Sequence, residues 1–114
     1  MELSILKNYQ KFYSNNKFWE KLKNYAKSLG KEAVYHILII YYLMIDANTP
    51  WNYKILIASA LGYLILPLDA IPDTIPVVGF TDDIAAIAAV YKVVKECATP
   101  QIEEKALRKL SDWF

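Results

Sequence analysis

Four aspartates set among prolines are the residues of this chain with the greatest chemical potential. They lie in Leu66-Pro67-Leu68-Asp69-Ala70-Ile71-Pro72-Asp73-Thr74-Ile75-Pro76-Val77-Val78-Gly79-Phe80-Thr81-Asp82-Asp83, where a tetrapeptide recurs, DAIP and then DTIP. Two chemistries fit. Carboxylates brought together by a tight chain reversal form an oxygen-donor site for a hard cation such as Mg²⁺ or Ca²⁺, or a pair that shares a proton because two like charges resist one site. Alternatively each Asp accepts backbone N–H bonds at the start of a turn or helix, and each Pro sits in a first turn where no helical donor is lost. The product is then a rigid reversal over 67–81 that ends at Gly79 and restarts at Thr81. Capping alone accounts for all four positions and is the favoured reading. Asp69, Asp73, Asp82 and Asp83 stand as candidates for a divalent cation, and no residue is assigned a catalytic role.

Other chemistry-bearing residues give less. There is no HExxH pair, no DxDxDG calcium loop, no phosphate-cradling glycine loop and no dinucleotide fingerprint. His36 is the lone histidine and sits in an apolar run, which reads as a core imidazole rather than a catalyst or zinc ligand. Ser59, between Ala58 and Ala60, has no nucleophile-elbow context and reads as a small packing residue. Cys97 has no partner for a disulfide or a metal knuckle; a buried, inert thiol in a reducing compartment is expected. Base readout leans on arginine, and Arg108 is alone, so no nucleic-acid partner is expected.

The elements that position these residues read as helices. Leu3, Leu6, Tyr9 and Tyr13 recur at helical spacing, and after a cap at Asn15 or Asn16 so do Phe18, Leu22, Tyr25 and Leu29, up to a stop at Gly30. Lys31–Ala47 changes character: Ala33–Ile45 has no charge and is apolar around most of the wheel, so it is enclosed on nearly all sides or sits in lipid. Thr49 as N-cap and Pro50 as first helical residue start the next helix, whose run Ile55–Leu68 is again uncharged. Its fourteen residues reach about 21 Å, short of the ~30 Å hydrocarbon core. Ala58/Gly62 and Ala85/Ala89 offer close backbone approach. Thr81 begins a helix to about Cys97, and Thr99-Pro100 begins the last.

The expected fold is therefore all-α, one domain over 1–114: a compact bundle of about five helices. Basic amphipathic helices occupy 1–30, an apolar helical hairpin 31–66, the Asp/Pro turn 67–81, and two C-terminal helices 81–114. Such a chain is long enough to fold without a metal or cofactor. Its 55% hydrophobic content and mean hydropathy of +0.15 argue against disorder and raise membrane contact as an option, sharpened by nine Tyr and three Trp. Charge is uneven: residues 1–32 hold seven Lys against three Glu, whereas 33–91 hold one Lys against five Asp. A basic, aromatic-bearing arm ahead of an apolar middle suits anionic lipid, although a solvated lysine face has the same composition. The opening residues lack the basic-then-apolar order of a secretion signal, which points to an intracellular place, cytoplasmic or at the inner face of the membrane.

The Asp/Pro segment resembles the core motif of the YkvA-like bacterial family, a domain of unknown function, whose pattern is YL-x-x-P-x-D-x-IPD-x-IP-x-x-G-x-x-DD. Tyr63, Leu64, Pro67, Asp69, Ile71, Pro72, Asp73, Ile75, Pro76, Gly79, Asp82 and Asp83 match it; Leu66 and Ala70 stand where a small polar residue and Leu are common in the family. The resemblance implies an uncharacterised protein, often associated with membranes, and supplies neither substrate nor catalytic residue. The resulting expectation is a non-catalytic module that binds a membrane surface or another protein, with self-association an option. The alternatives are a soluble helical domain with a structural Asp/Pro turn, and a metal-dependent enzyme using the Asp cluster.

Overall fold

In the computed structural model the backbone is described for residues 13–70 and 81–114, and side chains for 13–65 and 84–114. The first expected helix, around Leu3–Tyr9, lies outside these residues. Helix α1 (Asn15–Leu29) forms because Phe18, Leu22, Tyr25, Ala26 and Leu29 repeat at three- and four-residue spacing and bury one stripe, while Lys17, Glu20, Lys23 and Lys27 stay exposed. It starts two residues before the expected Lys17. Asn15 and Asn16 are its first residues rather than its cap, since the Asn15 side chain is occupied by tyrosine hydroxyls, described below.

Gly30 ends α1 and begins α2 at one stroke. Its N–H donates to the Ala26 carbonyl and its own carbonyl accepts from Val34 N–H, both at 3.0 Å. The junction needs φ 96°, ψ 153°, a region that only glycine occupies without strain. Helix α2 (Lys31–Ile45) then runs through the middle of the molecule, with α1 and the three later helices all packed on it. Five consecutive residues, Ile37 to Tyr41, are buried, which on a 100° wheel covers every side. The uncharged helix is thus enclosed by protein.

Helix α3 (Trp51–Ala70) repeats the pattern, burying Leu56, Ile57, Ala60, Leu61, Leu64 and Ile65. Ser59 is fully buried and donates to the Ile55 carbonyl at 2.8 Å, as befits a small packing residue. Helix α3 reaches Ala70, so the first four residues of the expected 67–81 turn are helical. Pro67 costs one N–H bond, to the carbonyl four residues back, but its fixed φ is itself helical, and so near the end of a helix the chain tolerates it.

Helix α4 (Thr81–Val94) buries Ala86, Ile87, Val90 and Val94, and a single 3₁₀ turn, Lys95–Cys97, takes the last residues expected to be helical. Ala85 is exposed, so the Ala85/Ala89 pair is not a close-approach seam, whereas Gly62 of the Ala58/Gly62 pair is buried and Ala58 half-buried; Ala60 and Ala86 are further buried small residues of α3 and α4. Cys97 is half-buried rather than enclosed. Helix α5 (Pro100–Trp113) starts as expected, with the Thr99 hydroxyl accepting from Ile102 N–H at 3.2 Å, and buries Ile102, Ala106 and Leu110. The fold is an all-α bundle, five α-helices and no strand among the described residues.

Thr49 departs from its expected role. Its N–H closes a turn on the Asp46 carbonyl at 3.3 Å, which draws the residue inward to 6% exposure, and its hydroxyl has no hydrogen-bond partner among the described residues. The carbonyl of Pro50, accepting from Tyr53 and Lys54, starts α3 instead. Three substitutions follow from these junctions, each read as an unfolding free energy in urea. Gly30→Ala loses about 1–3 kcal/mol, because alanine is strained at this φ although nothing lies within 4 Å of the new Cβ. Thr99→Ala loses about 1 kcal/mol with its cap. Thr49→Val is neutral or stabilising, since it removes a buried hydroxyl whose lost hydration costs about 1–3 kcal/mol; a cap-sized loss there would restore Thr49 to the helix start.

Candidate functional site

Three of the four motif aspartates are brought to one end of the bundle by topology. Asp69 lies in the last turn of α3, and Asp82 and Asp83 lie in the first turn of α4, two helices packed on each other. At α4 the pair meets the positive end of the helix dipole; at α3 a negative residue stands at the negative end, an unfavourable position. Their side chains, that of Pro67, and all of Pro72, Asp73, Pro76 and Gly79 lie outside the described residues. Elsewhere among the described residues no three His, Cys, Asp or Glu side chains group closely enough to hold a metal ion.

Beside the start of α4 a cavity of about 450 Å³ opens between Gly30, Lys31, Glu32 and His36 on one side and Ile84 and Ala88 on the other. His36 is half-buried there, not a core residue: its ring stacks on Tyr91 with centroids 4.1 Å apart and planes 20° from parallel. Among the described residues the cavity presents one imidazole on an aromatic face, one ammonium and one carboxylate, with no hydroxyl or thiol nucleophile in its lining.

The opposite end of α2 carries the denser chemistry. Tyr41 stacks flat on Phe18 at 4.8 Å and takes Trp19 edge-on at the same distance, and Trp19 in turn meets Trp113 at 6.1 Å. Lys109 Nζ stands 5.3 Å and 5.5 Å from the Trp19 and Trp113 ring centroids, within cation–π range of both. A chain of hydrogen bonds ties the cluster together: Trp19 N–H donates to the Tyr41 hydroxyl at 3.3 Å, and the Tyr41 and Tyr13 hydroxyls donate to Asn15 Oδ1 at 2.9 Å and 3.1 Å. Aromatic residues far apart in sequence thereby lock α1, α2 and α5 at this end. Spacing alone does not pair residues of different helices, so the sequence identifies these rings only as core or interface groups.

Around the cluster the surface is apolar and cationic. One groove is lined by Tyr42 and Ile45 of α2 with Lys105, Arg108, Lys109 and Asp112 of α5; a second is lined by Met44, Trp51, Lys54, Ile55 and Ala58. Ile45 and Trp51, either side of the α2–α3 turn, are 56% and 73% exposed. Burial, and then the neighbouring Tyr41, push the Tyr13 phenol up from its usual 10 to about 12. The fold thus favours the neutral phenol. Its contribution to stability is whole below pH 10, the unfolded value, and is lost as pH rises toward 12. Ultraviolet titration of tyrosinate absorbance is expected to show this late phase in the native protein, and its removal by Tyr13→Phe is the check.

Comparison with known proteins bears on the motif directly. Residues 53–89 match the family model described as Protein of unknown function (DUF1232). The chain is also 28% identical, over 72 residues, to the uncharacterized membrane protein YkvA of Bacillus subtilis (strain 168), an alignment that covers 58% of this chain and 68% of the relative. No solved structure matches it. The matched segment carries α3 from its third residue onward, the Asp/Pro motif and the larger part of α4, so the motif and its two flanking helices are similar to those of the YkvA-like family, a domain of unknown function.

Proposed function

We propose that this chain is a non-catalytic helical module that docks on a membrane surface as a folded bundle, on the cytoplasmic side. One observation carries the reading: two large apolar side chains, Ile45 and Trp51, stand exposed at the turn between two helices whose other described apolar residues are buried or half-buried. No helix among the described residues is long and apolar enough to cross a membrane. The contact is therefore peripheral, made by a surface. Aromatic and lysine side chains around that turn are the composition suited to the layer between water and hydrocarbon. The likeness to a relative named as a membrane protein supports the same reading.

Flotation with vesicles tests it. The full chain is expected to rise with vesicles containing phosphatidylglycerol, less with vesicles of phosphatidylcholine alone, and to be partly released by high salt, because exposed cations are screened while inserted apolar groups are not. A folded protein that stays at the bottom of the gradient with both compositions overturns the membrane reading and leaves a soluble helical domain.

A further inference from the structure

We infer that the α2–α3 turn is the membrane anchor, with Trp51 and Ile45 entering the interfacial layer of an anionic bilayer and Lys54, Lys105, Arg108 and Lys109 meeting its headgroups. The inference rests on the proposed membrane association and gives it a place and a lipid class. Trp51 is the most exposed large apolar residue of those described, at 73%, and it opens α3 immediately after Pro50. Tryptophan joins an apolar body to one N–H donor, a combination that favours the boundary of a bilayer over either side of it.

Around the turn four cations outnumber the carboxylates of Asp46 in the turn itself and of Glu104 and Asp112 on α5, which leaves the excess of positive charge an anionic surface needs. Lys54 borders Trp51 in one groove, and Lys105, Arg108 and Lys109 border Ile45 in the other. Arg108 is paired with Glu104, and Lys109 stands 4.0 Å from Asp112, but all four of these side chains are substantially exposed. Surface pairs of this kind are worth little, so a phosphate can displace the carboxylates. The turn is also held rigid. It leaves the protein beside the interlocked Phe18, Trp19 and Tyr41 rings, and the buried Thr49 roots it from below, so little ordering is needed when it docks.

A bilayer is the better-matched occupant than a protein. A stable protein interface takes about 800 Å² from each partner, whereas a tryptophan supplies at most ~250 Å² and the isoleucine less. Two exposed apolar side chains, with the half-buried Tyr42, Met44 and Ile55 beside them, make a small patch for the one and a sufficient one for the other, where each inserted group adds independently.

Trp51 itself is the probe. The full chain, with Trp19 and Trp113 half-buried in their cluster, is mixed with vesicles of phosphatidylglycerol and brominated phosphatidylcholine, whose bromines quench only a ring that enters the lipid. We expect the wild type to be quenched and blue-shifted, Trp51→Phe to lose the quenching, and the double variant Ile45→Ser with Trp51→Ala to partition about tenfold more weakly or worse. Both positions are exposed, and unchanged circular dichroism confirms that the variants fold. Equal quenching in the wild type and Trp51→Phe, or vesicle binding with no quenching at all, overturns the anchor while the membrane reading stands. A wild type that binds neither anionic nor neutral vesicles overturns both.

Discussion

Everything in this fold follows from having to enclose α2. A helix with no charge from Ala33 to Ile45 has no face to offer water, so a single covering layer cannot satisfy it. Each buried leucine or isoleucine along it stabilises the fold by about 1.5–3 kcal/mol, and Ile37, Leu38, Ile39, Ile40 and Leu43 are all at 1% exposure or less. The surrounding helices are arranged as this demand dictates. Helices α1 and α5 are amphipathic and bring one stripe each, with their glutamates and most of their lysines outward; Lys21 of α1 is buried. The apolar α3 and α4 close the remaining sides and bury one another.

Enclosing a central helix leaves its two ends as the places where chemistry can be displayed, and the two ends differ. At the start of α2, Gly30 folds the chain back without a loop, so His36, Lys31 and Glu32 come against the beginning of α4, where the motif aspartates re-enter the helix. At its end, Tyr41 and Tyr42 meet the aromatic residues of α1 and α5, and the turn to α3 projects beyond them. The acidic motif and the aromatic, cationic surface therefore belong to opposite poles of one helix. A protein lying on an anionic surface by the aromatic pole holds the end of α3 and the start of α4, where Asp69, Asp82 and Asp83 lie, away from the negative charge.

The sequence made much of this fold legible because its signals are local. Amphipathic spacing located α1 to within two residues, and Thr99-Pro100 gave a helix start for α5 that the structure reproduces with its hydrogen bond intact. Errors arose where one local rule competed with tertiary packing. Thr49-Pro50 has the same form as Thr99-Pro100, yet Thr49 is pulled into the interior by the turn to Asp46 and caps nothing. Pro67 reads as a breaker, yet α3 runs past it to Ala70. His36 and Cys97 were expected in the core on composition and are half-buried, because one charge-free run does not say which of its sides the neighbouring helices leave uncovered. The motif itself was legible as a family likeness, which the matching relatives bear out; the exposed turn was not, since nothing in Ile45 or Trp51 as letters separates them from the buried isoleucines and the half-buried tryptophans.

High hydropathy in so short a chain invites the inference of helices in lipid, and the packing argues for a different route to the membrane. A domain of this size buries only about two thirds of its unfolded surface, so a central helix can be protected only if almost every apolar residue is spent on the inside. Those of α2 and α3 are, with few exceptions, and the same residues cannot face lipid without unfolding the bundle. What is left for a membrane is the surplus: side chains too large or too near a turn to be covered, with cations beside them. Ile45 and Trp51 are the part of that surplus that flanks the α2–α3 turn; Val93, Leu107 and Phe114 are exposed as well. A bundle of this kind reaches the bilayer by the residues its core has no room for, and its hydropathy reports the core.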